Sequence, residues 1–190
     1  MMMIDTKKNN DFREVLQFIE PNTIGAEIGT WRGDTAAEFV KIGLKKLYVV
    51  DPHTLNVIPK SDLNSFIRRY SKVVGSKNIE DFHAFYDQLY QNVVERFESH
   101  SEVEVLRLLS SEFFSMLDEK LDWIYIDGDH SYEGVLADLN GSFAVLKSGG
   151  VILGDDFGSK TGVEKAVKMF CKQNKLDYEI HGKRQYRIQL

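Results

Sequence analysis

The sequence predicts a mainly parallel α/β sheet, doubly wound with helices on both faces and closed by a C-terminal antiparallel hairpin. Three observations predict it. Short apolar runs alternate with segments of helical periodicity along most of the 190 residues, and repeated strand–helix units pack as a parallel sheet between helical layers. The last residues, LDYEIHGKRQYRIQL, read as two strands around a His181–Gly182–Lys183 turn, too short for a further crossover. Glycines and carboxylates stand directly after the apolar runs, where such sheets bind ligands.

The elements follow in order. Asp11 to Glu20 reads as a short helix, with Asp11 and Glu14 at capping-box spacing, Phe12, Val15, Leu16 and Ile19 on one face, and Pro21 as its stop. Thr23 to Ile28 is a buried strand, Asp34 to Ile42 a helix, and Leu47 to Val50 a second buried strand stopped by Asp51–Pro52. Residues 52–100 are longer than a crossover needs. Phe82, Phe85, Leu89, Val93 and Phe97 recur there at helical spacing, a stripe read as core packing within a helical insertion that forms part of a substrate lid. Val103 to Leu108 is a strand, Ser111 to Leu117 a short helix, and Trp123 to Ile126 a strand. Ser131 to Leu146 is a helix with Val135, Leu139 and Phe143 inward; Val151 to Leu153 is a strand; Thr161 to Cys171 is a helix opened by a Thr161–Glu164 capping box.

Composition bounds the rest. A chain of 190 residues with 43% hydrophobic content fits one domain over 1–190 with the insertion at about 52–100. The lone Cys171 reads as a packed helix residue and permits no internal disulfide. No apolar stretch approaches membrane-spanning length, and the first residues lack the apolar core of a signal peptide, so a cytoplasmic location is expected. The net charge of −5, without a long basic run, disfavours a nucleic-acid partner. The aromatic residues at 66–97 are candidates to bury against a ligand or a second copy in a homo-oligomer.

The first turn after a strand reads Gly25-Ala26-Glu27-Ile28-Gly29-Thr30-Trp31-Arg32-Gly33. Glycines allow a tight turn and close approach to a ligand, and the helix from Asp34 points its free N–H groups at the same place. Glu27 stands where a dinucleotide fingerprint has its first glycine, and a carboxylate would repel a pyrophosphate. S-adenosylmethionine carries an ammonium and a sulfonium, so the acidic residue suits it better than NAD. Asp51, 22 residues beyond Gly29, ends the second strand and is placed to accept from both ribose hydroxyls. Ser110 and Ser111, after the third strand, are candidates to flank the adenine, with helix capping the alternative.

The densest chemistry is Asp127-Gly128-Asp129-His130-Ser131-Tyr132 after one strand and Asp155-Asp156 after the next. If those strands are neighbours, up to four carboxylates converge, which calls for a positive partner. Mg²⁺ is one answer, held by Asp127, Asp155 and Asp156, and it would lower the pKa of a bound hydroxyl. Asp129 and His130 are the two candidates for the proton acceptor. The alternative is that one aspartate caps the helix at Ser131 while others pair with Lys160 or arginines.

Glu27-x-Gly29-x-x-x-Gly33, the strand-terminal Asp51, IDGDHSYEGVLADL (126–139) and LKSGGVILGDDF (146–157) together resemble the class I S-adenosylmethionine-dependent methyltransferases, in the branch of macrocin-type sugar O-methyltransferases. The resemblance spans roughly 23–157. It implies a Rossmann-like, seven-stranded sheet with its last strand antiparallel, and cofactor contacts at Glu27, Gly29 and Asp51, to which the turn adds Thr30 and Gly33. By similarity to metal-dependent members it implies Mg²⁺ at Asp127, Asp155 and Asp156, with Asp127 also beside the cofactor. The expected activity is O-methylation of a small sugar, polyol or phenol. A NAD-dependent oxidoreductase and a non-catalytic member of the fold are the alternatives. Nucleic-acid methylation is weaker, since no Asn/Asp-Pro-Pro-aromatic signature is present.

Overall fold

A computed structural model describes residues 14–190. Seven strands and six helices alternate: β1 (Ile24–Ile28), α1 (Asp34–Val40), β2 (Lys46–Val50), α2 (Lys60–Val74), α3 (Ile79–Phe97), β3 (Val103–Leu106), α4 (Ser110–Met116), β4 (Leu121–Ile126), α5 (Tyr132–Val145), β5 (Leu146–Gly154), α6 (Thr161–Asn174), β6 (Tyr178–His181) and β7 (Gln185–Gln189). The strands lie in the order β3-β2-β1-β4-β5-β7-β6. The first five are parallel, and β7 runs antiparallel to both β5 and β6. The expected Rossmann-like sheet with a terminal hairpin is therefore present. Its order reverses between β1 and β4, which makes their carboxyl ends the natural ligand crevice.

Side-chain alternation along the strands builds two cores. Ile24, Ala26, Ile28, Tyr48, Val50, Ile124 and Ile152 face Phe113, Val135, Leu139, Val163 and Phe170 of α4, α5 and α6. On the opposite face Leu47, Val49, Trp123, Tyr125 and Leu153 meet Ala36 and Phe39 of α1 and Val93 and Phe97 of α3. The second half of α3 is thus the ordinary crossover helix between β2 and β3. Only the segment before it is extra: a 3-10 turn at Leu55–Val57, α2 and the first half of α3, which bury Leu55, Ile67, Phe82, Tyr86 and Leu89 among themselves. The aromatic stripe is core, as its periodicity predicts, with Tyr86 taking the fully inward place and Phe85 its edge.

Three local expectations are corrected. Asp11 to Arg13 lie outside the described residues, and the described part of the expected first helix is 3-10 rather than α, with a turn at Leu16–Phe18 after which Ile19 becomes extended two residues before Pro21. Phe143 is not inward: it is 44% exposed, and Ser142 and Val145 occupy the buried positions of α5. Thr161 is the first helical residue of α6, whose cap is Lys160 without a side-chain capping bond.

Candidate functional site

The loop after β1 is held by its neighbours on both sides. Gly29 N–H donates to the Val50 carbonyl at 2.8 Å, and Gly29 has φ +89°. A Cβ there would collide with the backbone of Asp127 and Gly128, so the β1 and β4 ends touch only because the position is glycine. Glu27, one residue from the end of β1, is 1% exposed and its Oε2 has no hydrogen-bond partner. Burial raises its pKa to about 8; Thr30 opposes that rise, and the charges of Asp127, Asp51 and Asp34 add to it. An acid with an orphan oxygen in such a place is stabilised by a cation.

Asp51 joins the loops after β1 and β2. Its Oδ2 accepts from Trp31 N–H at 3.0 Å and its Oδ1 from His53 N–H at 2.8 Å. His53 Nε2 lies 2.8 Å from the Trp31 carbonyl. Trp31 (φ 53°) and His53 (φ 40°) both hold left-handed backbone, an arrangement that persists where surroundings over-determine it. The insertion, the second half of α3 and the loop after β3 supply those surroundings. Trp31 meets the rings of Phe85 and Tyr86 at 6.0 and 5.8 Å. Arg96 of α3 donates to the Arg32 carbonyl at 2.9 Å and to Asp34 Oδ1 at 2.6 Å. Arg107 donates to the His53 carbonyl at 2.7 Å and to Asp87 Oδ1 at 2.6 Å. Gly33 abuts the Phe97 ring. Ser110 opens α4 and donates to Asp138 Oδ1 at 2.5 Å, whereas Ser111 is exposed on the same turn.

The ends of β4 and β5 are neighbours, so the carboxylates do converge. Asp127 N–H donates to the Ile28 carbonyl at 2.8 Å and Asp155 N–H to the Ile126 carbonyl at 3.2 Å, which fixes both residues just past their strands. His130 Nε2 lies 2.8 Å from Asp156 Oδ2 and 3.5 Å from Asp127 Oδ1, with hydrogen-bond geometry to neither. Asp127 raises the imidazole pKa against the effect of burial. Among the described residues, Asp127, His130 and Asp156 form the one group of three whose candidate metal-ligand atoms lie within 4.8 Å of one another. Asp155 is turned elsewhere: its Oδ1 accepts from Asp156 N–H at 2.7 Å and its Oδ2 lies 3.0 Å from Arg184 Nη2. Burial raises Asp155 to about 6. Arg184 Nη1 also donates to Asp156 Oδ1 at 2.9 Å. Asp129 serves the start of α5, accepting from Ser131 N–H at 2.9 Å and Ser131 Oγ at 2.7 Å. Ser131 itself caps α5, its Oγ accepting from Gly134 N–H at 3.0 Å.

Sequence reasoning missed Arg184 and Asp138. Arg184 sits in the hairpin turn, and only the β5–β7 pairing brings it beside Asp156; no local pattern announces it. Asp138 did leave a signal, since it falls at an inward position of α5 between Val135 and Leu139. No described helix is long and apolar enough to cross a membrane.

Comparison with known proteins agrees with this geometry. The O-methyltransferase NovP is 15% identical, with a TM-score of 0.62 over 94% of this chain and 76% of that one. The ribosomal protein L11 methylase of Lactobacillus delbrueckii subsp. bulgaricus is 12% identical, with a TM-score of 0.58 over 96% and 78%. The fibrillarin of Aeropyrum pernix, solved with natively bound S-adenosylmethionine, is 9% identical, with a TM-score of 0.61 over 94% and 72%. At these identities the likeness is one of fold. No curated protein matches the chain. The Methyltransferase domain family matches residues 26–157, well over half of the sequence. The chain therefore belongs to the methyltransferase-domain family and is an S-adenosylmethionine-dependent methyltransferase of the class I fold.

Proposed function

We propose that the protein transfers the methyl group of S-adenosylmethionine to a hydroxyl oxygen of a small sugar, polyol or phenol, as in the macrocin-type branch it resembles. The observation that carries the reading is His130 Nε2, poised between Asp156 and Asp127 at the ends of β5 and β4 beside the loop that follows β1.

The geometry around that loop supports the cofactor roles in this reading. Glu27 takes the ammonium, which supplies the cation its buried carboxylate lacks. Asp51 uses the lone pairs left after its two backbone bonds for the ribose hydroxyls. Gly29, Thr30 and Gly33 give the close backbone, Ser110 and Ser111 the adenine edge, and Asp127 the side toward the acceptor. Trp31 with Phe85 and Tyr86 makes the insertion a wall of the acceptor cavity.

In the transfer the acceptor oxygen forms a bond to the methyl carbon, the carbon–sulfur bond breaks, and its electron pair stays on sulfur. The sulfonium is already activated, so alignment and one proton acceptor suffice. His130 receives the hydroxyl proton, and its raised pKa, set by Asp127, favours holding it. Asp129 is engaged at the helix cap, which leaves His130 as the base. Asp127 and Asp156 offer oxygens to a divalent cation such as Mg²⁺, and the local excess of acid fits such an ion; Asp155, the third carboxylate, would join them only by giving up Arg184. When bound, the ion lowers the hydroxyl pKa.

The test is transfer of a labelled methyl group to panels of sugars, polyols and phenols, with ribosomal RNA and ribosomal protein as rival acceptors, with and without EDTA. Label on a small hydroxylated acceptor, lost on chelation, is the expected outcome. Label on RNA or protein alone would overturn the acceptor class. Unchanged turnover in EDTA would remove the metal.

A further inference from the structure

Asp138 is a buried carboxylate in the middle of a helix, and nothing in the transfer chemistry uses it. It is 5% exposed, and it accepts the hydroxyl proton of Ser110. Burial raises its pKa to about 6, so the carboxylate is charged at neutral pH and can only accept. Its other oxygen faces the fork between β1 and β4: a Cβ on Gly128 would stand 3.8 Å from both Asp138 Oδ2 and the Ile28 carbonyl. Ser110, four residues past the end of β3, thus reaches across the carboxyl edge of the sheet to the point where the strand order reverses. A charge buried merely to tie α4 to α5 is an expensive tie, because an apolar contact would do the same without desolvation.

A serine hydroxyl has one proton and two lone pairs. We propose that Asp138 is a positioning residue that takes the only proton of Ser110, so that toward the crevice Ser110 is an acceptor alone, one that fits the exocyclic amino group of adenine and rejects a purine with oxygen at that place. This rests on the reading above that Ser110 borders the adenine. A site built to pair with a donor discriminates strongly against the isostere that offers an acceptor, since the buried partner is left unpaired.

The experiment is calorimetric titration of the full chain with S-adenosylhomocysteine and with its deaminated analogue, S-inosylhomocysteine. The wild type is expected to bind the adenosyl compound at least about tenfold more tightly. Ser110→Ala should bring the two within about threefold, chiefly by weakening the adenosyl compound. Asp138→Asn should narrow the ratio as well, because its amide can donate to the Ser110 oxygen and free the hydroxyl proton to turn outward. Near-UV circular dichroism checks the fold of each variant; if Asp138→Asn does not fold, Ser110→Ala decides. Equal binding of the two compounds by the wild type, or a ratio unchanged in the folded variants, overturns the inference while leaving the cofactor reading intact. Failure of the wild type to bind either compound overturns that reading, and this inference with it.

Discussion

Arg184 in the hairpin turn reaches Asp155 Oδ2 at 3.0 Å and Asp156 Oδ1 at 2.9 Å, so the antiparallel end of the sheet supplies the counter-charge of the acidic strand ends. The backbone joins in, because Phe157 N–H donates to the Arg184 carbonyl at 2.8 Å. Asp156 holds left-handed backbone (φ 66°) under these constraints, which aims its second oxygen at His130. One turn thereby fixes both the charge and the direction of the group beside His130.

Arg184→Met should leave the largely buried Asp155 without its ion-pair partner and Asp156 with only His130 and Ser159. The expected loss of stability is on the order of 1–3 kcal/mol, at the lower end of what a fully buried pair would show because Arg184 is itself a third exposed and water screens it. Urea unfolding measures that loss. S-adenosylhomocysteine binding should be kept while methyl transfer falls, which separates the hairpin's effect from the cofactor pocket.

His130 and Asp129 stand side by side in sequence but in different surroundings. His130→Ala should lower kcat by roughly 10²–10⁴-fold if it accepts the proton. Asp129→Ala should cost about 1 kcal/mol of stability or less, because it removes the two bonds that hold the N-cap Ser131 in place, with a far smaller change in kcat. Equal kinetic losses in the two variants would contradict the assignment of His130 as the base.

Glu27 makes cofactor binding and stability depend on pH in opposite senses. Its pKa in the folded protein, about 8, lies above the ordinary 4.5, so the folded chain keeps a proton that the unfolded chain has released. The stabilising contribution of this group is therefore full below about 4.5 and is lost as pH rises toward 8. An ammonium ligand needs the carboxylate, so binding releases a proton below pH 8, and affinity should rise with pH by up to about tenfold per unit before levelling off. Titrations in buffers of different ionisation enthalpy count the proton. Glu27→Gln should flatten both trends.

Gly29→Ala tests the contact between the β1 and β4 ends. The added methyl meets the Asp127 and Gly128 backbone, which cannot swing aside like a side chain, and the φ of +89° is unfavourable for alanine. A loss of about 2 kcal/mol or more in stability, with cofactor binding abolished, is expected by denaturation and calorimetry.

The parts of this molecule legible in its sequence are those set by local pattern. Strand–helix alternation, the glycine turn at Gly29 and Gly33, and the acidic residues after β1, β2, β4 and β5 follow from periodicity and from where ligands lie on a parallel sheet. What was not legible depends on contacts between distant segments. The partner of Asp155 is Arg184, brought there by the β5–β7 pairing. Phe143 occupies a helical position that the apolar pattern assigns to the core, yet Ser142 and Val145 are the residues turned inward. Length alone reads residues 52–100 as one insertion, whereas packing divides them into a crossover helix end and an added aromatic cluster.

The most direct measurement is the affinity of S-adenosylhomocysteine for the wild type, Glu27→Gln and Asp51→Ala at pH 8, by calorimetry. The account predicts tight binding to the wild type and at least about tenfold weaker binding in each folded variant, the expected cost of losing a charged hydrogen-bond partner. Wild-type affinity retained in both variants would contradict it.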